Sequence, residues 1–335
     1  MDLWLEQILA NSQSQLIDAA RAKAFGITPE NVEACVPIFR SVYPACSKFN
    51  QHTVKLPADK FANNLWTLWL PLAMLIADYR QSQSSPLIQG ILAGQGTGKS
   101  TLASILILIL GEIGYRTVCL SLDDLYKTYS DRLILRQQDP RLIWRGPPGT
   151  HDLDLGINVL DALHQPDSEA IIYLPRFDKS AYNGAGDRGT PEAISGADII
   201  LFEGWFVGVR PIDPEAFDTA PPPIITDRDR QFARDMNAKL QGYLPLWERL
   251  DRLILLYPLD YRWSLRWRQQ AEHQAIAFGK SGMSDSEIEQ FVKYFWRSLH
   301  PELFIKPSYS WIDIVIEIMS DRSWGKVYAP NISIN

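Results

Sequence analysis

The stretch GILAGQGTGKSTLASILIL, residues 90–108, places a glycine-rich loop between an apolar run and an apolar helical segment, and it constrains the fold more than any other feature. Glycines at positions 94, 96 and 98 allow positive φ angles, so that consecutive backbone N–H groups can turn inward. The helix that begins near Gly98 adds the positive end of its dipole. The loop is therefore predicted to cradle an anion at the end of a β-strand.

The side chains of this loop favour a nucleoside triphosphate as the anion. The ammonium group of Lys99 is placed to reach the β- and γ-phosphates, and the hydroxyl of Ser100 to ligate Mg²⁺. Ala93 stands where the strict motif has glycine, and a methyl group is tolerated there if the residue has negative φ. The predicted nucleotide-binding residues are Gly94, Gln95, Gly96, Thr97, Gly98, Lys99, Ser100 and Thr101.

Short apolar runs alternate with longer helical segments beyond residue 86. This alternation predicts an α/β fold, in which a parallel sheet of the P-loop type is flanked by helices. Such sheets bind ligands at the carboxyl ends of their strands, so the residues after each run are candidates for chemistry. Six runs are predicted as strands: 87–93, 117–122, 170–175, 198–203, 253–258 and 312–318.

Residues 1–85 follow a different pattern, with apolar residues at helical spacing such as Phe61 and Leu65. They are interpreted as a helical N-terminal extension, which ends in a polar loop before Pro86. Residues 86–335 then form the nucleotide-binding domain.

Composition narrows the functional classes. The 335 residues are 46% hydrophobic, enough for a core of ordinary size, and a net charge of −6 argues against binding to nucleic acid or to anionic membranes. The most apolar run, 105–110, is far shorter than the roughly 20 residues that span a bilayer. The N-terminus has no lysine or arginine before Arg21, the reverse of a targeting segment, so a cytoplasmic location is expected. The oligomeric state is not indicated.

Carboxylates occur where two of the predicted strands end. Asp123 and Asp124 follow the second run, and Glu203 ends the fourth. Asp123 is predicted to take a proton from a substrate hydroxyl or to lie on the magnesium side, and Glu203 to supply a second magnesium-side carboxylate. Together with Ser100, Asp123 and Glu203 form the predicted metal-binding set. Alternatively, these acidic residues are helix N-caps, a role more common for aspartate than for glutamate.

Longer motifs give a more specific signal than the loop. The segments AGQGTGKST, SLDDLY, RGPPGTHDLDLG, LPRFDKSAYNGAGDR, ILFEGWFVG and WRQQAEHQ occur in this order. They resemble the motifs of the D-glycerate 3-kinases of plants and cyanobacteria, which belong to the phosphoribulokinase, uridine kinase and pantothenate kinase group of P-loop kinases. The resemblance covers about residues 87–320. It implies transfer of the γ-phosphoryl group of ATP, with Mg²⁺, to the 3-hydroxyl of D-glycerate, with Asp123 and Glu203 matching the two carboxylates of that group.

The substrate implied by this resemblance is a small hydroxy acid. Its carboxylate and two hydroxyls need a cation of fixed geometry and a few hydrogen-bond partners. His151 is expected to bind rather than to transfer a proton, and Asp152 is alternatively the N-cap of a following helix. Each charged candidate is alternatively part of a structural salt bridge. The candidates are Asp124, Tyr126, Arg145, His151, Asp152, Arg176, Asp178, Lys179 and Arg188.

A helical lid is predicted over about residues 260–300. Arg262 and Arg266 are four residues apart, which places both on one helical face, and they are predicted to close over the phosphates as catalytic residues. The alternative is a solvated basic face. Trp263 and Trp267 share the same spacing and are interpreted as packing residues rather than as an adenine platform.

Two other functions remain open at the level of the sequence. A kinase of the same group for a nucleoside, pantothenate or a sugar phosphate would keep the fold and the phosphate chemistry. A regulatory ATPase would transfer phosphate only to water, and the sequence lacks both an N-K-x-D guanine signature and an LSGGQ-type signature. Turnover in the absence of any acceptor would favour the ATPase.

Overall fold

The computed structural model describes residues 19–28, 32–165, 170–279 and 282–330. Within those ranges no helix has the length and apolar character needed to cross a lipid bilayer. The helices are α1 (Ala19–Ala24), α2 (Val32–Phe49), α3 (Ala58–Asn64), α4 (Leu70–Gln81), α5 (Lys99–Glu112), α6 (Tyr129–Gln138), α7 (Leu153–Leu163), α8 (Asp227–Lys239), α9 (Leu244–Trp247), α10 (Trp263–Ala277), α11 (Asp285–Ser298) and α12 (Pro301–Ser308). The strands are β1 (Leu87–Ala93), β2 (Thr117–Ser121), β3 (Ile171–Leu174), β4 (Phe177–Asp178), β5 (Asp187–Arg188), β6 (Glu192–Ser195), β7 (Ile199–Gly204), β8 (Arg252–Pro258), β9 (Ile314–Ile318) and β10 (Trp324–Tyr328).

A six-stranded sheet forms the centre of the fold, in the order β10-β9-β8-β1-β7-β2. Five neighbouring strands are parallel, and β10 pairs antiparallel with β9 at one edge. Every residue of β1 and β7 is buried, as expected for central strands that are covered on both faces. Five of the six predicted strands are confirmed in this sheet.

The sixth prediction, a strand of the main sheet at 170–175, is wrong. This run forms β3, which pairs antiparallel with β6 in a separate two-stranded sheet. Ile171 and Tyr173 are 63% and 61% exposed, whereas Ile172 and Leu174 are buried, so β3 is covered on one face only. Alternation of this kind is typical of an antiparallel ribbon rather than of a central parallel strand.

Helices cover both faces of the sheet. Leu87 and Ile91 of β1 point into a core shared with α2, α4 and α5, while Ile88 and Leu92 point into a core shared with α7 and α9. The helical character predicted before residue 86 is confirmed for the described residues. The described helices of this region share the first core with β1 and α5, and the boundary at residue 85 stays a prediction.

Three aspartates hold the amino-terminal edge of the sheet. Asp251 precedes β8, and its carboxylate accepts a hydrogen bond from the backbone N–H of Ile88 in β1 at 2.7 Å. Asp313 accepts from the N–H of Leu253 at 2.7 Å, and Asp198 accepts from that of Arg116 at 2.8 Å. These bonds tie each strand start to its neighbour, at the edge opposite to the glycine-rich loop.

Replacement of Asp251 tests this role. Asp251→Ala removes the acceptor of the Ile88 N–H, which is buried, and should lower the free energy of unfolding by about 1–3 kcal/mol. Asp251→Asn keeps an oxygen in the same place and should retain most of the stability. Urea unfolding of the three proteins measures the difference. Equal stability of the alanine variant and the wild type would refute the assignment.

Candidate active site

The glycine-rich loop leaves the sheet at Ala93, which ends β1 in extended backbone and is fully buried. Gly96 and Gly98 have φ angles of +78° and +90°, values that side chains disfavour. Thr97 is buried, and its hydroxyl donates to the carbonyl of Gly94 at 2.8 Å, which closes the turn. Helix α5 begins at Lys99, so that its amino-terminal N–H groups face the loop.

Two residues that are distant in the sequence, Trp267 and Arg322, contact this loop at Gly96. A Cβ atom on Gly96 would lie 2.8 Å from Cβ of Trp267, a buried residue of α10. Arg322 follows β9, and its guanidinium donates to the carbonyl of Gly96 at 3.1 Å and to that of Trp267 at 3.3 Å. Trp267 is thus a packing residue, as expected. Arg322 was not found from the sequence, because a contact across 226 residues leaves no local spacing signal.

Glu203 lies beside the first turn of α5. The parallel register places it opposite Ile91 of β1 and Ser121 of β2. Its Oε1 accepts from the hydroxyl of Ser100 at 3.2 Å, whereas Oε2 is buried and accepts no hydrogen bond of good geometry from the described residues. The hydroxyl of Ser121 is also close enough to the carboxyl group to lower its pKa. Burial raises the pKa of Glu203, and the charge of Lys99 opposes that rise.

These groups fit a Mg²⁺ ion. A buried carboxylate oxygen without a partner next to a hydroxyl is the oxygen-donor set that Mg²⁺ takes, with phosphates and water completing its shell. Among the described residues no group of three or more His, Cys, Asp or Glu side chains is placed to hold a metal ion. Ser100 and Glu203 would supply protein ligands of the ion beside the phosphates of a bound nucleotide.

Asp123 lies on the turn after β2, the neighbour of β7. Its Oδ1 accepts from the hydroxyl of Tyr126 at 2.8 Å, and its Oδ2 from the ammonium of Lys179 at 2.7 Å. Burial alone would raise the pKa of Asp123, but the charges of Lys179 and Lys99 outweigh it and lower that pKa. The carboxylate is therefore ionised at neutral pH and available as an acceptor.

Both carboxylate oxygens of Asp124, by contrast, accept hydrogen bonds from other residues of the protein. Its Oδ2 accepts from the N–H of Ser121 and from Arg176, both at 3.0 Å, and its Oδ1 accepts from the N–H of Phe177 at 3.2 Å. Arg176 also pairs with Glu192 at 2.6 Å. Asp124 and Arg176 thus occupy a cap and a salt bridge that join β2 to the β4–β5 hairpin, the alternative stated for both.

The other substrate candidates near Asp123 differ in how many partners they already have. Asp152 caps α7 by accepting from the N–H of Leu155 at 3.1 Å, and it forms an ion pair with Arg188. Arg145 donates through Nη1 alone, to the carbonyls of Gly184 and Ala185 at 2.8 Å, and no carboxylate of the described residues pairs with it.

His151 is 2% exposed and packs on the ring of Tyr126 at 4.6 Å between centroids. Its Nδ1 lies 2.7 Å from the hydroxyl of Tyr243, and burial lowers the pKa of His151 to about 3. A base of so low a pKa takes no proton at neutral pH. The expected role of His151 in binding stays a prediction. Tyr243 was not found from the sequence, because a tyrosine between apolar residues is ordinarily a packing residue.

Three candidates, Asp178, Arg262 and Arg266, are exposed to solvent. Asp178 accepts from the N–H and hydroxyl of Ser180 on its own turn. Arg262 pairs with Asp260 at 2.8 Å and is 71% exposed, and Arg266 is exposed as well. The region 260–300 is helical in its described residues, as α10 and α11. Closure of the two arginines over phosphates stays a prediction.

Comparison with known proteins gives the family. No protein-family model matches the sequence. The chain is 30% identical over 328 residues to "D-glycerate 3-kinase, chloroplastic" of Arabidopsis thaliana, covering 91% of this chain and 70% of that protein. The chain belongs to the D-glycerate 3-kinase family. The cytoplasmic location expected from the N-terminus stays a prediction.

Other members and relatives agree with this assignment to the D-glycerate 3-kinase family. A solved D-glycerate 3-kinase from Cryptococcus neoformans superposes with a TM-score of 0.70 at 27% identity, covering 78% of this chain and 99% of that chain. The protein named "Uncharacterized kinase mug58" of Schizosaccharomyces pombe is 34% identical over 221 residues, which cover 64% of this chain and 79% of that protein. The α/β P-loop kinase fold predicted from the sequence is confirmed.

The contact between Gly96 and Trp267 gives a test of the loop. Gly96→Ala adds a methyl group at positive φ and 2.8 Å from Trp267, a strain of about 1–3 kcal/mol, and should weaken ATP binding roughly tenfold or more. Gly111→Ala in α5 is the matched control, because a Cβ there meets no atom within 4 Å. Calorimetric titration with ATP measures both. Equal affinities would contradict the described loop geometry.

Proposed function

We propose that this protein transfers the γ-phosphoryl group of ATP to the 3-hydroxyl of D-glycerate, giving 3-phosphoglycerate and ADP. The observation that carries the proposal is the pair of carboxylates, Glu203 on the hydroxyl of Ser100 and Asp123 on the neighbouring strand end, in a chain of the D-glycerate 3-kinase family. The acceptor is a small hydroxy acid, and ATP is the phosphoryl donor.

The nucleotide side consists of the loop and the start of α5. Backbone N–H groups of residues 94–100 face the β- and γ-phosphates, and Lys99 balances the charge that develops during transfer. Ser100 and Glu203 would hold Mg²⁺, which when bound would neutralise charge on the phosphates. The unpartnered Oε2 of Glu203 supports this part of the proposal.

Asp123 acts on the acceptor. Its carboxylate accepts the proton of the 3-hydroxyl as the oxygen attacks the γ-phosphorus in line, and the bond to the β–γ bridging oxygen breaks to release ADP. Tyr126 holds Oδ1 in place, and Lys179, which is 62% exposed, is the partner that an incoming hydroxyl displaces from Oδ2. No phosphoenzyme is required.

Arg145 is the best candidate to bind the glycerate carboxylate. Arg176 and Arg188 are already paired with carboxylates, whereas Arg145 keeps N–H groups without a hydrogen bond among the described residues. Its guanidinium lies 5.9 Å from the ring centre of Tyr126, the side chain that contacts Asp123. The carboxylate of the substrate would thus be held on the Tyr126 side of the site.

Asp123→Asn tests the role of the base. The amide cannot take the proton, so kcat with D-glycerate should fall about 10²–10⁴-fold, while ATP affinity should be retained because Asp123 lies outside the loop. Asp227→Asn, at a fully exposed position on α8, is the control. Near wild-type turnover of the Asp123 variant would reject the assignment.

An acceptor screen tests the substrate. ADP release should depend on D-glycerate and be weak with L-glycerate, uridine, pantothenate and ribulose 5-phosphate. Phosphorus NMR of the product should show the phosphate on carbon 3. ADP release at the same rate without any acceptor would favour the regulatory ATPase, and preference for another acceptor would favour a different kinase of the group.

A further inference from the structure

Tyr243 forms a buried hydrogen-bond chain that the proposed reaction does not use. The residue is fully buried at the turn before α9. Its hydroxyl oxygen accepts from the backbone N–H of Gly149 at 2.8 Å and lies 2.7 Å from Nδ1 of His151. Gly149 and His151 belong to the segment that leads into α7, so Tyr243 joins that segment to a distant part of the chain.

The hydrogen atoms in the hydrogen bonds among Gly149, Tyr243 and His151 can be assigned by counting donors. A phenol carries one hydrogen, and the N–H of Gly149 can only donate. If the hydrogen of Tyr243 goes to Nδ1 of His151, one group, the Nε2–H, is left without a partner. In the reverse arrangement the phenol hydrogen and the lone pair of Nε2 are both buried without a partner, at a cost of about 1–3 kcal/mol each. The hydrogen of Tyr243 is therefore assigned to the bond with Nδ1. The imidazole is neutral, since burial lowers the pKa of His151 to about 3. Its single ring hydrogen is thus assigned to Nε2.

That Nε2–H group has no partner among the described residues and is shielded from solvent. A buried donor without an acceptor is costly, and few occur in folded proteins. The hydrogen bonds from Gly149 to Tyr243 and from Tyr243 to His151 keep Nδ1 occupied as an acceptor. The ring hydrogen of His151 therefore stays on Nε2. The protein therefore maintains an unused donor in one fixed place.

The imidazole lies between the segments that carry the two catalytic carboxylates. The backbone around it runs alongside the Asp123 turn, because Lys127 N–H donates to Thr150 at 3.0 Å and Asp152 N–H donates to Leu125 at 2.7 Å. The ring stacks on Tyr126, whose hydroxyl binds Asp123. On the other side it meets the edge of Phe206, three residues after Glu203, at 5.5 Å between centroids.

We propose that the Nε2–H of His151 donates a hydrogen bond to an oxygen of the bound acceptor, and that Tyr243 is the positioning residue that fixes the imidazole in this tautomer. The inference rests on the proposed function and extends it, because it gives His151 a role in recognising oxygen atoms of the phosphoryl acceptor. The donor favours a substrate that presents a carboxylate or hydroxyl oxygen beside the reacting hydroxyl. It also excludes His151 as the general base, since Nδ1 is already an acceptor.

Tyr243→Phe keeps the ring and removes the hydroxyl. The Nε2–H tautomer then loses its support, and KM for D-glycerate should rise about tenfold, while KM for ATP stays within twofold and kcat changes less than KM. Tyr328→Phe on β10 is the matched control, because it removes a phenol hydroxyl whose partner is Tyr309. Near-ultraviolet circular dichroism checks that each variant is folded.

Nitrogen-15 NMR of histidine-labelled protein reads the tautomer directly. The wild type should show a protonated Nε2 and an unprotonated Nδ1 on His151, and D-glycerate should shift the Nε2–H signal to lower field. The Tyr243 variant should show a mixture of tautomers. A hydrogen on Nδ1 in the wild type would overturn the proposal, as would equal increases of KM for D-glycerate and ATP in the variant.

A second pair of variants keeps the test decisive if Tyr243→Phe does not fold. The side-chain amide of glutamine in His151→Gln can place an N–H near the position of Nε2, whereas asparagine in His151→Asn reaches only the position of Nδ1. The glutamine variant should retain the lower KM for D-glycerate, and equal values would contradict the proposal. If the wild type uses a different acceptor, the proposed function fails, and the same ratios measured with that acceptor decide the role of His151.

Discussion

The register of three parallel strands determines the chemistry of this protein. Glu203 of β7 stands between Ile91 of β1 and Ser121 of β2, so the loop after β1 and the turn after β2 rise on either side of it. A shift of one residue would turn Glu203 to the opposite face, because side chains alternate along a strand. Burial of every residue of β1 and β7 opposes such a shift, since it would exchange the two cores.

The site keeps its two carboxylates in different surroundings. Glu203 is buried beside a hydroxyl, and its pKa is raised, whereas the pKa of Asp123 is lowered by Lys179 and Lys99. The oxygen of Glu203 that lacks a partner can bind a cation that arrives with the nucleotide. The carboxylate of Asp123 can exchange its ion pair with Lys179 for a hydrogen bond from the substrate hydroxyl. Division of roles between two acids by their environment is a general device in enzymes.

Sequence patterns predicted the features that depend on residues close together in the chain. The glycine spacing of the loop and the apolar runs of the central strands are local properties, and the structure agrees with them. The run at 170–175 was misplaced, because a short apolar run does not specify which sheet it joins. Strand β10 was missed: it is an edge strand of mixed polarity, interrupted by a register shift in its pairing with β9.

Contacts between segments that are far apart in the chain could not be predicted from sequence patterns. Lys179 meets Asp123 only because the β4–β5 hairpin folds back over the turn after β2, across 56 residues. Arg322 supports the loop and Tyr243 supports His151 across 226 and 92 residues. The resemblance to D-glycerate 3-kinases supplied the segments in which several of these residues lie, but their partners follow from packing alone.

A crystal structure with Mg²⁺, a non-hydrolysable ATP analogue and D-glycerate measures the central distance directly. The account predicts the 3-hydroxyl oxygen within hydrogen-bond distance of Asp123, about 2.6–3.2 Å, and in line with the γ-phosphorus, with Glu203 on the side of the ion. A complex in which Asp123 remains paired with Lys179 and the 3-hydroxyl lies out of its reach would contradict the account.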